Sequence, residues 1–296
     1  MSITLKEYFR NLHQKKAIRA ITTVGIVMSL PLVGLYAYLW AVKNVKLDYV
    51  PIKLHHPTAD LRGLKICQIS DLHYGPSNCD PRFFSNIVNV INAQKPDLIV
   101  LTGDYYQWDS DYLEGLPQIL GRLHAPLGVF GIFGNHDYGS CYPGVLHCDP
   151  FDHKMVKNAF ARNDILLLEN EALTLAYKDQ DFNLIGLHDL WSGHFNPAQG
   201  FANTNADLPT ILLSHNPDTV TMVEQDFDLM LSGHVHGGQV SWPWIGPLAV
   251  PVKNRRYRRG LHTIDERKRL YVNRGLGYTF RMRLNSPPEV SLIEIV

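Results

Sequence analysis

Two histidines separated by one residue follow a short apolar run in the second half of the chain. The segment LSGHVHGGQVSW at 231–242 contains this pair, His234 and His236. Residues i and i+2 of an extended segment point to the same side, so both imidazoles can converge on one centre. Gly237 and Gly238 then allow a tight turn beside that centre. By itself the pair is equally typical of a strand end whose histidines bond to backbone and water.

Four earlier apolar runs also end in side chains that bind metals or transfer protons. In chain order these side chains are Asp71 and His73 in SDLH, Asp104 in TGD, Asn135, His136 and Asp137 in FGNHD, and His215 in LLSH. Ligand sites of open α/β sheets form outside the carboxyl ends of the strands. One such residue is commonly a cap or a turn former. Five successive strand ends of this kind indicate a shared site.

The alternation of apolar runs with helical patterns predicts the elements that position these side chains. The runs at 64–70, 97–102 and 127–133 indicate strands, with a helix from Pro81 through Asn92 and an amphipathic stretch near 111–122. Strands that alternate with helices predict an α/β architecture. Strand patterns become more frequent beyond residue 164, up to VSLIEIV at 290–296. We therefore expect a second sheet packed on the first.

An uncharged run of 22 residues, Ile21–Val42, precedes this region. As a helix it is about 33 Å long, enough to cross the core of a bilayer. Five basic residues precede it, and Tyr36, Tyr38 and Trp40 lie near its far end, as in membrane anchors. The alternative is a cleaved signal peptide, whose apolar core is usually shorter. We expect a basic segment at 1–20, an uncleaved anchor at 21–42, a linker with a first strand at 43–62 and a catalytic domain at 63–296.

A basic segment follows the histidine pair. Trp242 and Trp244 are followed by four arginines, Arg255, Arg256, Arg258 and Arg259. They form either a solvated charge run or a cationic and apolar lip that binds a phosphorylated amphiphile. The formal net charge of the whole chain is zero, so nothing global suggests nucleic acid as a partner. Whether Cys141 and Cys148 pair is open at this stage.

The motifs D-x-H, GD, GNHD, a strand-end H and GHxH, in this order, closely resemble the calcineurin-like metallophosphoesterase superfamily from residue 64 to the C-terminus. The resemblance implies a four-layer αββα sandwich of two mixed sheets. It also implies two bound divalent cations, with Mn as the first choice of metal and Zn or Fe as the alternatives. It implies a first cation bound by Asp71, His73 and His236, a second bound by Asn135, His215 and His234, and Asp104 as the bridge. Many members have an acidic residue or His where GDYYQ places Gln107.

The same resemblance implies roles in catalysis for two residues of GNHD. His136 is expected to donate a proton to the leaving oxygen, with Asp137 as its orienting partner. The chain has no GxSxG elbow, GxxxxGK[ST] loop or HExxH helix, so no protein nucleophile is expected. A non-enzymatic scaffold is disfavoured because every ligand position is filled.

The anchor together with LLSHNPD, GHVHGGQV and RGLG looks most like the bacterial membrane-associated phosphodiesterase branch of the superfamily. This implies a single-pass inner-membrane enzyme that hydrolyses an amphiphilic phosphoester, with UDP-2,3-diacylglucosamine of lipid A synthesis as the leading candidate. The alternative is an envelope or extracytoplasmic phosphodiesterase or nuclease with a non-lipid substrate. Five basic residues before the apolar run, against Lys43, Lys46 and Lys53 after it, favour a cytosolic N-terminus and a catalytic domain that faces away from the cytosol.

Overall fold

A computed structural model describes residues 29–56, 60–76, 78, 80–107, 112–138, 153–247 and 250–296 of the chain. The helices are α1 (residues 29–39), α2 (Pro81–Ala93), α3 (Gly115–Leu120), α4 (His153–Ala161) and α5 (Pro197–Gly200). The strands are β1 (Lys46–Ile52), β2 (Lys65–Ile69), β3 (Leu98–Leu101), β4 (Val129–Gly131), β5 (Ile165–Leu167), β6 (Glu171–Tyr177), β7 (Gln180–Gly186), β8 (Thr210–Leu213), β9 (Leu229–Ser232), β10 (Ser241–Trp242), β11 (Gly246–Pro247), β12 (Gly260–Thr263), β13 (Arg269–Val272) and β14 (Glu289–Ile295).

Two six-stranded mixed sheets form the body of the molecule. The first has the order β1-β14-β2-β3-β4-β5, and the second has the order β12-β13-β9-β8-β7-β6. In the first sheet only β14 and β2 run antiparallel, whereas the outer pairs β12-β13 and β6-β7 are antiparallel in the second. The parallel centres of both sheets direct several strand ends to one side of the sandwich, as the α/β prediction requires.

Apolar residues fill the space between the sheets and cover both outer faces. Ile66 of β2 and Leu213 of β8 lie in the cluster between the sheets. Cys67, the next residue in β2, points to the opposite face, where α2, α3 and α4 pack. Over the outer face of the second sheet, the described residues form loops, short 3₁₀ turns and the four-residue α5. The expected fourth layer is therefore present without a long helix.

Helix α2 forms where the sequence predicts it. The Asp80 side chain accepts hydrogen bonds from the backbone N–H groups of Arg82 and Phe83, and Pro81 occupies the first turn. Both features are typical of a helix start, because the first N–H groups of a helix lack partners inside it. Phe84 and Ile91 are buried on the face toward the first sheet. The amphipathic stretch near 111–122 gives only the shorter α3.

The last strand was assigned to the other sheet from the sequence. The last strand, β14, belongs to the first sheet, where it pairs with both β1 and β2. It was expected in the second sheet, since its apolar pattern is the same in either place. Strand β1 pairs in parallel with β14 over its whole length. The segment 43–62 was predicted to contain a first strand, and β1 is that strand, at the edge of the first sheet.

The predicted anchor at 21–42 begins outside the described residues. From residue 29 to 39 the chain is helical, and its end packs against the catalytic domain, where Ala37 is buried. Within the ranges that the structure describes, no helix combines the length and apolar character needed to cross a membrane. Cys141 and Cys148 also lie outside these residues, so their pairing stays open.

Candidate metal centre

The predicted site residues come together at one end of the sandwich. Asp71 and His73 follow β2, Asp104 follows β3, Asn135 and His136 follow β4, His215 follows β8, and His234 and His236 follow β9. All of these side chains are buried. The structure thus brings residues from both sheets to a common site, although these residues are up to 165 positions apart in the sequence.

Among the described residues, three groups of side chains bring their donor atoms close enough together to hold a cation, and two of these groups share no residue. Asp71, His73 and His236 form the first group. The Nε2 atoms of His73 and His236 are 3.0 Å apart, and Nε2 of His236 lies 3.4 Å from Oδ1 of Asp71. Carboxylate and imidazole donors without thiolate suit Mn, Fe or Zn.

Asp104, His215 and His234 form the second group. Oδ2 of Asp104 lies 3.1 Å from Nε2 of His215 and 3.6 Å from Nε2 of His73, so this carboxylate faces both groups. Nδ1 of His234 lies 3.3 Å from Nε2 of His215. Asn135 is also buried, and it lines a cavity to which Asp104 and His234 contribute as well.

Backbone carbonyls determine which nitrogen of three imidazoles faces the site. Because a carbonyl only accepts, Nδ1 of His215 donates to the Thr102 oxygen at 2.6 Å, and Nε2 of His234 donates to the Pro251 oxygen at 3.2 Å. His136 likewise donates from Nδ1 to the Gln107 oxygen at 3.1 Å. His215 and His136 therefore offer Nε2 to the cavity, whereas His234 offers Nδ1.

Five of the candidate ligands adopt a left-handed backbone conformation. Asp71, His73, Asp104, His234 and His236 have φ between 45° and 72°. Such values are uncommon for residues other than glycine and cost free energy at each position. Backbone strain of this kind concentrates at functional sites, because the surrounding fold holds side chains where a relaxed chain would not place them.

Two glycines of the motifs allow the strand ends to approach each other closely. A Cβ atom at Gly134 would overlap the carboxylate of Asp104, and one at Gly233 would overlap Ser70 and Asp71. The glycines of GNHD and GHVH are therefore required by packing against the candidate ligands.

The charges within the site are arranged for cation binding. Burial, together with the nearby carboxylate of Asp104, raises the pKa of Asp71 to about 7. Burial also lowers the pKa of His73 and of His234 to about 3, so both imidazoles are neutral at physiological pH. Buried carboxylates that repel each other, beside neutral imidazoles with free lone pairs, fit divalent cations well.

Asp104 and His215 are the exception to this neutrality. Burial opposes the charge on Asp104, yet the neighbouring His215 and His136 hold its pKa well below the usual value. Burial likewise opposes protonation of His215, but the carboxylate of Asp104 raises its pKa well above the usual value. Without a cation, the proton on His215 supplies the positive charge beside Asp104.

Asp137 has different partners from those that the sequence predicts. Its carboxylate accepts hydrogen bonds from the backbone N–H groups of Asp104 at 2.9 Å, Tyr105 at 2.8 Å and Gly134 at 2.8 Å. It therefore ties the loop after β3 to the loop after β4. The imidazole of His136 is oriented by the Gln107 carbonyl, the position at which the chain departs from many family members.

A cavity of about 540 Å³ opens beside the two groups. Its polar lining includes Asp104, Asn135 and His136, and its apolar lining includes Val240, Val250, Pro251, Phe280 and Met282. The cavity therefore presents the candidate ligands to a molecule that carries both polar and apolar parts.

The four arginines predicted to bind substrate lie apart from this cavity. Within the described residues none of them lines it. Arg258 and Arg259 line a separate cleft with Trp242 and Trp244, and Arg255 donates to the Pro247 oxygen at 2.8 Å. The predicted basic lip is thus displaced from the candidate ligands, because β10 and β11 turn the chain between them.

Two residues after β7 were missed by the sequence analysis. Trp191 lines the cavity and packs edge-on against His234, with ring centroids 4.6 Å apart. Asp189 is buried, and its Oδ1 accepts a hydrogen bond from the backbone N–H of Trp191 at 2.8 Å. The run FNLIGLHD ends in a histidine and an aspartate, the residue types that also follow the other strands of the site, so this signal was available.

This fold and its buried donors define a metal-dependent phosphoester hydrolase. The chain belongs to the calcineurin-like phosphoesterase family, which matches residues 64–238, and the resemblance seen in the motifs is confirmed. The chain is 35% identical to UDP-2,3-diacylglucosamine pyrophosphatase LpxG of Chlamydia trachomatis, with 79% of this chain and 84% of that protein covered. It is 36% identical to phosphodiesterase YaeI of Escherichia coli, with 78% and 82% covered.

Proposed function

We propose that the chain is a membrane-anchored phosphodiesterase or pyrophosphatase with a dinuclear metal centre. The observation that carries the proposal is the position of Asp104, whose carboxylate faces the imidazoles of both donor groups. Asp71, His73 and His236 are the proposed ligands of one cation, and Asn135, His215 and His234 those of the other. Mn is the proposed metal.

Bound at these ligands, two divalent cations would supply an activated water and would neutralise phosphoryl charge. The protein's own residues then orient the substrate and move protons. Nδ1 of His136 donates its proton in a hydrogen bond to the Gln107 carbonyl, so Nε2 faces the cavity. We assign to this nitrogen the transfer of a proton to the leaving oxygen, and the ring must be doubly protonated for this step because its Nδ1 proton stays bonded to Gln107. Trp191 covers His234 and limits the access of water on that side.

His136 has a competing role as a metal ligand, and a measurement of metal content decides between the two roles. Its donor atom also lies within reach of a cation shared with His73 and Asp104. A proton donor can be removed without loss of metal, whereas a ligand cannot. Metal content of a His136 variant therefore distinguishes the two roles.

We propose a nucleotide-linked lipid, UDP-2,3-diacylglucosamine, as the substrate. Support comes from the Chlamydia trachomatis relative, which is named for this substrate. The apolar lining of the cavity also offers an environment for acyl chains. The exposed Arg255 and Arg256, together with the half-buried Arg258 and Arg259 of the neighbouring cleft, are proposed to attract its phosphates. The anchor would concentrate the enzyme where such lipids reside.

The substrate proposal is tested by replacing Phe280. This residue belongs to the apolar lining of the cavity, and its exposed fraction is 57%. Phe280→Ser is expected to reduce kcat/KM on UDP-2,3-diacylglucosamine about tenfold, the loss expected from one large apolar contact, and to leave hydrolysis of bis-p-nitrophenyl phosphate unchanged. Tyr49→Ser, at an exposed aromatic on β1, serves as the control. Equal losses on both substrates would contradict an acyl-binding role.

A second candidate substrate is a phosphodiester of the cell envelope. Five basic residues precede the apolar run at 21–42, a bias that favours a cytosolic N-terminus and an external catalytic domain. Reporter fusions at the C-terminus separate the two candidates. A cytosolic C-terminus supports the nucleotide-linked lipid, which is made in the cytosol, and an external one supports the envelope phosphodiester.

A further inference from the structure

Arg283 is a fully buried arginine directly behind the candidate metal centre. Its exposed fraction is 0%, which is rare for an arginine because the charge must be removed from water. Within the described part of the chain, no carboxylate lies at ion-pair distance from its guanidinium group. The fold therefore keeps a desolvated positive charge at this position without a paired anion.

Backbone carbonyls hold the guanidinium group in a fixed plane. Nη1 donates to the oxygens of Arg274 at 2.9 Å and Ser286 at 3.0 Å, and Nε donates to Gly277 at 3.0 Å. Nη2 donates to the oxygens of Gly275, at 3.1 Å, and of Gly277. Five N–H groups in a rigid fork allow arginine to satisfy several carbonyls at once, which a lysine cannot reproduce.

The remaining contact of this fork is to a candidate ligand. Nη2 of Arg283 lies 3.2 Å from Nδ1 of His236. The hydroxyl of Ser286 donates to the backbone oxygen of the same histidine at 2.5 Å. His236 is thus held at its ring and at its backbone by one short segment, and its Nε2 is left facing Asp71 and His73.

His236 differs in this respect from the other oriented imidazoles of the site. The outer nitrogens of His136, His215 and His234 donate to carbonyl oxygens. A guanidinium group can only donate, so Nδ1 of His236 must accept. In the metal-free chain the ring proton therefore lies on Nε2, which can donate to Nε2 of His73 at 3.0 Å.

Arg283 is also fixed from the side of α1. Its backbone N–H donates to the Ala37 oxygen at 3.1 Å, at the end of this helix. Arg281, two residues earlier, contacts the same helix end, with Nε 3.4 Å from the Tyr38 oxygen and its guanidinium group 5.1 Å from the Tyr38 ring centre. Both arginines touch α1, but only Arg283 reaches a site imidazole among the contacts of the described residues.

We propose that Arg283 is a positioning residue that fixes the plane of the His236 imidazole, so that Nε2 faces the cation bound with Asp71 and His73. This inference rests on the proposed metal centre. Arg283 touches neither substrate nor cation, and it acts only through His236. Partners that orient a ligand imidazole contribute about 10- to 100-fold to metal affinity or activity.

The test compares Arg283→Lys with Arg281→Lys in the full-length chain. Arg283→Lys is expected to weaken Mn binding at one of two sites about 10- to 100-fold and to lower kcat on bis-p-nitrophenyl phosphate by a similar factor, with KM changed less than about threefold. Binding is followed by electron paramagnetic resonance of free Mn. Arg281→Lys should retain both affinities. A folded Arg283→Lys protein with unchanged Mn affinity would overturn the proposal.

A second measurement uses the unaltered, metal-free protein in case Arg283→Lys does not fold. Nitrogen-15 NMR of the histidine rings, with His236→Gln for assignment, reports which ring nitrogen carries the proton. The proposal requires an unprotonated Nδ1 in His236. A proton on that atom would exclude donation from Arg283, whatever the metal titration shows. If the wild-type chain binds no Mn, the proposed metal centre fails while this contact is still tested.

Discussion

Replacement of Asp104 by asparagine removes one charge from the centre of the candidate site and changes little else. The carboxylate is 2% exposed, and its Oδ1 accepts a hydrogen bond from the backbone N–H of His136 at 2.9 Å. An asparagine Oδ1 can keep that hydrogen bond. Its amide nitrogen would replace Oδ2, the atom that faces His73 and His215.

The magnitude follows from Coulomb's law at the distances in the site. Oδ2 lies 3.1 Å and 3.6 Å from imidazole nitrogens of the two donor groups, so a cation held by either group lies near this carboxylate. One pair of unit charges about 4 Å apart contributes about 4 kcal/mol at an effective dielectric constant of about 20, and the second charge of a divalent cation adds to this figure. Asp104→Asn is therefore expected to weaken the binding of each cation at least roughly a thousandfold, since about 1.4 kcal/mol is a factor of ten.

The assay titrates metal-free wild-type and Asp104→Asn protein with Mn and follows binding by electron paramagnetic resonance and hydrolysis of bis-p-nitrophenyl phosphate. Asp228→Asn is the matched control, since Asp228 is a fully buried carboxylate at the opposite end of β9, 2.9 Å from Nε of Arg267. This control should bind Mn normally. Wild-type affinity for both cations in Asp104→Asn would refute the bridging role.

Three further predictions concern other residues of the core and the site. His136→Gln is expected to lower kcat by roughly 10² to 10⁴ with both cations retained by elemental analysis, and loss of metal would make His136 a ligand. Asp137→Asn is expected to lower the free energy of unfolding by about 1.5–3 kcal/mol in urea denaturation, because its hydrogen bonds from three backbone N–H groups join two loops, and unchanged stability would contradict this. Burial raises the pKa of Cys67 to about 12, so iodoacetamide should modify it, by peptide mapping at pH 8, only after unfolding. Rapid labelling of the native chain would show that this thiol is accessible.

Features governed by neighbouring residues were predicted correctly from the sequence. Helix α2 follows from Asp80 and Pro81, which supply a cap and a preformed first turn. The strand ends that carry the candidate ligands were visible because each follows a run of buried residues directly. Since parallel strands end at the same edge of a sheet, proximity of these residues followed from their order alone.

Several features that depend on particular contacts between distant residues were not predicted. The pattern of β14 fits either sheet, and only its pairing with β1 and β2 places it in the first. Asp137 contacts backbone groups 32 and 33 residues earlier, and Arg283 contacts a histidine 47 residues earlier. No local pattern encodes such partners. The arginines after β11 were similarly expected beside the ligands because they are near in sequence, but the intervening turn separates them.

The most direct test of the central claim is a stoichiometric metal titration of the chelated, full-length protein. The account predicts that chelation abolishes hydrolysis of bis-p-nitrophenyl phosphate, and that activity returns in proportion to Mn until two ions are bound per chain. Full activity in protein that elemental analysis shows to be free of metal would contradict it. Recovery of full activity with a single ion per chain would contradict the dinuclear centre and leave only one of the two donor groups in use.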